Sequence, residues 1–171
     1  MNKQFTITVL TGNQIGLLNR VTGIFSRRQI NIESITVCES EDAGVHRYTI
    51  VIAMSEEEVN KIVKQIEKQV DVISVECQCN EHAIHQEMAL YKVPNSILTF
   101  GGEGETVLRR YNARILSVEN DFTIVEKTGS RSEIQDLFES LRMCGAVEFV
   151  RSGKVVIARP MITENLEQIV A

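Results

Sequence analysis

The residues best suited to chemistry lie in one polar turn, Gly12-Asn13-Gln14-Ile15-Gly16, set between apolar patterns of different period. Before it, Phe5, Ile7 and Val9 alternate with Thr6 and Thr8 as a half-buried strand does. After it, Leu17, Val21, Ile24 and Phe25 fall on one face of a helix. A helix that starts at such a turn carries unpaired N–H groups and a partial positive charge, which together favour a carboxylate or another anion. Asn13, and Asn31 beyond the helix, add neutral amides. Taken alone, the two asparagines equally suit a turn former and a helix-terminating residue.

Other constellations carry weaker chemistry. Cys77, Cys79, His82 and His85 place four potential metal ligands within a short span. Cys77 and Cys79, however, share one face of a strand, whereas zinc sites usually need separated segments to wrap a tetrahedron. A buried Cys77 followed by a solvated linker is the simpler reading. Gly101-Gly102-Glu103-Gly104 invites a phosphate, but no Gly-Lys-Ser/Thr follows, and Glu103 and Glu105 would repel it. His46 has no nucleophile motif beside it and reads as a surface residue, while Cys38 and Cys144 add no useful spacing. No paired acid and base and no cofactor loop emerge, so the pattern points to binding rather than turnover by this chain.

The elements that must hold the turn can be read in order. Ile32 to Glu39 and Val45 to Met54 predict two antiparallel strands joined by the polar segment Ser40-Glu41-Asp42-Ala43-Gly44. Ser55-Glu56-Glu57-Glu58 predicts a capping box ahead of the stripe Val59, Ile62, Val63 and Ile66, and Val70 to Cys77 closes the sheet. The expectation is a βαββαβ module over residues 1–77, two helices on one face of a sheet. Polar residues 78–85 predict a linker. A second module of the same order is expected over 86–160, with strands at Glu87 to Val93, Asn112 to Val118, Phe122 to Lys127 and Ala146 to Arg151. Its first helix is confined to about two turns after the glycine loop. Ser130-Arg131-Ser132-Glu133 caps its second helix, whose apolar face is Ile134, Leu137, Phe138 and Leu141. Residues 161–171 remain as a tail. The fold class is α+β, two ferredoxin-like modules in tandem.

Composition agrees with this plan: 43% hydrophobic and 24% charged residues in a chain of 171 can bury a core in one or two domains. No run approaches the roughly 18 apolar residues of a membrane span, and Met1-Asn2-Lys3-Gln4 leads directly into a strand. A cytoplasmic protein with reduced thiols is expected. The net charge of −5, with basic residues paired only at Arg27-Arg28 and Arg109-Arg110, argues against nucleic acid.

The turn and helix, with Phe25-Ser26-Arg27-Arg28 and Asn31-Ile32-Glu33-Ser34, and later Glu126-Lys127-Thr128-Gly129 and Arg151-Ser152-Gly153, follow one another in a recognisable order. The first half resembles the ACT domain, and the whole set resembles the small regulatory subunit of acetohydroxyacid synthase over roughly residues 4–159. The chain departs from that family's usual residues at Ile15, for proline or serine, and at Gln29-Ile30, for glycine-tyrosine. The resemblance implies a homodimer formed through the ACT modules, with a branched-chain amino acid, usually valine, bound where two copies meet. Asn13, Gln14, Ile15, Gly16 and Leu17 of one copy, with Asn31 and Ile32 of the other, would form that site. It also implies a large catalytic partner carrying thiamine diphosphate, magnesium and FAD, which this chain activates and makes sensitive to feedback, with no cofactor or metal of its own. A free-standing amino-acid sensor acting on another enzyme is the competing function.

Overall fold

In the computed structural model, residues 3–79, 83–99, 101–145 and 147–158 are described. These residues divide into two compact units, one of 3–79 and 83–85 with 156–158, the other of 86–99, 101–145 and 147–155.

The first unit begins with strand β1 (Lys3–Gly12), helix α1 (Leu17–Arg27), strands β2 (Ile32–Glu39) and β3 (Val45–Met54), helix α2 (Glu56–Glu67) and strand β4 (Val72–Cys79). The antiparallel sheet is ordered β2-β3-β1-β4. Phe5, Ile7 and Val9 pair across β1 with Ile52, Ile50 and Tyr48. These side chains meet Leu17, Val21, Ile24 and Phe25 of α1 and Val59, Ile62 and Ile66 of α2 in one buried cluster. Both helices therefore lie on one face, as their periodicity requires. The α2 capping box is complete: the Ser55 hydroxyl accepts the Glu58 N–H, and the Ser55 N–H donates back to the Glu58 carboxylate at 3.2 Å.

The second module repeats the order with β5 (Ala83–Pro94), a short 3₁₀ turn at Asn95–Leu98, α3 (Glu103–Arg110), β6 (Arg114–Val118), β7 (Phe122–Gly129), α4 (Arg131–Cys144) and β8 (Glu148–Arg151). Its strands run β6-β7-β5-β8, the same relative order as in the first sheet, and β9 (Val155–Ala158) also pairs with β5. Tyr91, Val125, Ile134, Leu137 and Leu141 build its core. The buried Tyr91 hydroxyl donates to the Ile134 carbonyl at 2.8 Å, which satisfies the one polar atom that its ring carries inward. Ser152 closes β8 onto β5: its hydroxyl accepts the Met88 N–H at 2.9 Å and its own N–H donates to the Met88 carbonyl at 2.8 Å.

Several boundaries differ from the reading of the sequence. The stretch 78–85 is not linker throughout: Gln78 and Cys79 continue β4 opposite Thr6 and Phe5, and Ala83–His85 open β5. Polar side chains do not interrupt a ladder made by the backbone: Gln78 and His85 are half-buried within their strands, while the apolar Ile84 is exposed. Cys144 is the last residue of α4, and His46, read as a surface residue, is half-buried on β3 between Thr11 and Glu39. The 3₁₀ turn and β9 lie outside the elements expected from the sequence pattern. Ala146, His82 and the tail 161–171 lie outside the described residues.

Candidate functional site

The turn between β1 and α1 is built from its own backbone. The Gly12 N–H donates to the Asp71 carbonyl and the Asn13 N–H to the Gly44 carbonyl, each at 2.9 Å, so two neighbouring connections anchor its entry. The Gln14 N–H donates to the Gly12 carbonyl at 3.0 Å, and the Leu17 N–H returns to the Gln14 carbonyl at 3.2 Å. Gly16 closes the turn with φ 84°, a left-handed backbone in which a Cβ is costly. The space that a Cβ would enter there is open, with no atom within 4 Å.

This arrangement sorts the candidate binding groups. The N–H groups of Gln14 and Leu17 are spent inside the turn, and the Leu17 side chain is fully buried in the core. Ile15, Gly16, Leu18 and Asn19 are the positions whose N–H groups have no acceptor among the described residues. The donors available to a ligand are thus displaced toward the helix, where a first turn normally leaves them orphaned. No side chain caps α1 and its first turn holds no acidic residue. Its first charged side chain is a cation, Arg20, paired with Asp71 at 2.9 Å. Positive potential at this helix start is therefore unopposed from within the helix. Ile15 stands fully exposed beside it.

Asn31 and Ile32 lie far from the turn within one chain. Ile32 pairs with Ile52, and Ile52 with Phe5, so the start of β2 is level with the start of β1; Gly12, at the other end, is level with Val45. The separation is about 24 Å at ~3.4 Å per strand residue. Asn31 is exposed, and the half-buried Ile32 packs against the core. Between α1 and Asn31, Gln29 adopts φ 55°, the left-handed turn that the missing glycine would have eased.

The alternative sites fare differently. Cys77 and Cys79 pair with Ile7 and Phe5 on the core face of β4, and burial, with Cys79 beside it, pushes the Cys77 thiol up to about 11. Burial thus makes the thiolate form costlier at Cys77 than at an exposed cysteine. Among the described residues no group of His, Cys, Asp or Glu is placed to hold a metal ion, and no helix is long and apolar enough to cross a membrane. The glycine loop is filled by its own side chain: the Gly101 N–H donates to the Glu105 carboxylate at 2.7 Å.

A tandem pair of ferredoxin-like modules, the first with an open helix start between β1 and α1, has the architecture of a chain built on an ACT domain. Residues 7–74 match the family of AHAS small subunit-like ACT domains, and residues 86–160 match the small subunit of acetolactate synthase. The chain is 38% identical to the acetolactate synthase small subunit of Bacillus subtilis over 93% of its own length and 91% of that protein's, and 33% identical to that of Mycobacterium bovis over 92% and 93%. The crystal structure of the acetolactate synthase small subunit from Thermotoga maritima superposes with a TM-score of 0.80 at 30% identity, covering 92% of this chain and 98% of that one. The chain belongs to the acetolactate synthase small-subunit family, the regulatory and non-catalytic component of that enzyme.

Proposed function

We propose that this chain is the feedback sensor of a cytoplasmic acetohydroxyacid synthase. It binds valine or a closely related amino acid between two copies of its first module and transmits occupancy to a catalytic subunit that carries thiamine diphosphate, magnesium and FAD. What supports this reading is that the Gly12–Gly16 turn and Asn31 sit at opposite ends of one sheet. β2 is an edge strand, and on its helix-facing side Ile35 and Val37 remain 37% and 38% exposed, with Leu18 of α1 at 41%. Two copies pairing antiparallel along β2 bring the Asn31 end of one to the Gly12 end of the other.

In that pocket the N–H groups of Ile15, Gly16, Leu18 and Asn19 receive the effector carboxylate. The Asn13 and Asn31 side chains complete its polar contacts, and Ile15 and Ile32 offer apolar surface to a branched side chain. The ammonium group meets carbonyl acceptors near Asn31. Binding inhibits because the effector prefers one arrangement of the dimer; equal affinity for two arrangements would shift nothing. The first module supplies dimerisation and binding, and the second couples them to the enzyme.

Calorimetric titration with valine, leucine and isoleucine, alongside sedimentation, tests the proposal. The expected result is a dimer or larger assembly with at most one valine site per chain. A monomer that binds valine normally refutes a shared pocket.

A further inference from the structure

Resting on the effector site proposed above, we infer that Asp71 sets the threshold of that site by competing with the effector carboxylate for Arg20. Asp71 lies in the connection between α2 and β4, in a left-handed backbone with φ 73°. That connection is held by hydrogen bonds from the Gln69 N–H to the Ile66 carbonyl and from the Val72 N–H to the Gln69 carbonyl, and Ile66 is fully buried. Asp71 is thereby delivered on a firm support. Its carbonyl takes the Gly12 N–H, and a Cβ placed on Gly12 would lie 3.9 Å from the Asp71 Cβ. Its carboxylate takes Arg20 Nη2 at 2.9 Å.

Arg20 stands one helical turn beyond Gly16, to whose carbonyl its N–H donates at 3.0 Å. Helical side chains lean toward the N-terminus, so Arg20 covers the turn that precedes it, where the free N–H groups lie. It is the first charged side chain of α1, and its side chain is 41% exposed. An arriving carboxylate and Asp71 therefore draw on the same guanidinium. The tether that shapes the turn is the Asp71 carbonyl, which a change of side chain leaves in place. Removing the Asp71 charge frees the cation without dismantling the turn, and asparagine tolerates the same left-handed backbone.

The consequence is directional. A positioning or packing role predicts weaker inhibition when Asp71 is altered, whereas competition for Arg20 predicts stronger inhibition. Asp71→Asn should lower the valine concentration giving half-inhibition of the reconstituted enzyme by roughly two- to fivefold. That is the size of one unit charge about 8–10 Å away at an effective dielectric of about 40 to 80. Arg20→Gln should raise it. The gain in Asp71→Asn should fade as ionic strength rises from about 0.1 to 1 M, because the screening length falls from ~10 to ~3 Å.

Each curve is referred to its own uninhibited rate, and Gly16→Asp is run beside the others as the test of the site itself. If Gly16→Asp destroys inhibition while Asp71→Asn leaves it unchanged or weakens it, the role given to Asp71 is overturned and the site stands. If Gly16→Asp leaves inhibition as it was, the effector binds elsewhere and both readings fall.

Discussion

Helices α1 and α3 occupy the same place in two copies of one topology, and both begin at a glycine that no side chain caps. Their electrostatics are opposite. The first turn of α3 carries Glu103 and Glu105, and Glu105 reaches back to the Gly101 N–H while pairing with Arg109 at 2.6 Å. It supplies its own anion. The first turn of α1 carries none and leaves its N–H groups to whatever arrives. A repeated fold thus yields one receptive helix start and one that is already satisfied, and a pair of carboxylates makes the difference.

The sharpest way to break this contrast is to give α1 an anion of its own. Gly16→Asp should raise the inhibitory valine concentration at least tenfold, or about 1.4 kcal/mol, by placing a negative charge where the effector carboxylate would sit. Gly16→Asn separates charge from strain, since both residues tolerate left-handed backbone; it should keep part of the response. Dose–response curves of the reconstituted enzyme decide between them, and equal losses in the two variants would remove charge from the explanation.

A smaller effect is expected from the other half-site. Asn31→Ala removes a neutral hydrogen-bonding group, worth about 0.5–1.5 kcal/mol, and should weaken valine binding roughly two- to thirteenfold in a calorimetric titration. An unchanged dissociation constant would detach Asn31 from the pocket.

The smallest effect concerns α3. The Gly101 N–H, and then Arg109, hold the Glu105 carboxyl below the usual carboxylate range. A depressed folded-state value means that this contribution to stability is present at neutral pH and is lost as pH falls through the folded value. The Gly101 amide NMR signal should therefore titrate with a midpoint below that of a free glutamate, and Glu105→Gln should abolish the titration without altering the valine response. A shift in the valine response would mean that α3 takes part in effector sensing.

Much of the scaffold was legible because its determinants are local. Ser55 with Glu58, and Ser130 with Glu133, form the capping boxes their spacing implies, and Val59, Ile62, Ile66, Ile134, Leu137 and Leu141 all point inward. The left-handed backbone at Gln29 could be anticipated only through the family resemblance, which places glycine there. What escaped was set at a distance. Polar Gln78 belongs to β4 because Thr6 is there to pair with it, and β9 exists because β5 accepts it. The site shows the same division. Gly16 and the turn could be placed from sequence, but the withdrawal of the Gln14 and Leu17 N–H groups required knowing which carbonyls curl back. Asp71, separated from Arg20 by most of the first module, left no sequence signal at all.

The exposed flank of β2 also bears on how the chain survives before it is assembled. Its charges are Glu33 and Glu39 near its two ends; between them Ser34, Ile35, Thr36, Val37 and Cys38 offer an uncharged run with free backbone donors and acceptors. A newly made chain carries that run as an adhesive edge, able to recruit any extended segment it meets. The pairing along β2 proposed above would cover that edge, and the yield of soluble protein would then depend on how quickly a fitting strand is found and not only on how firmly each module folds.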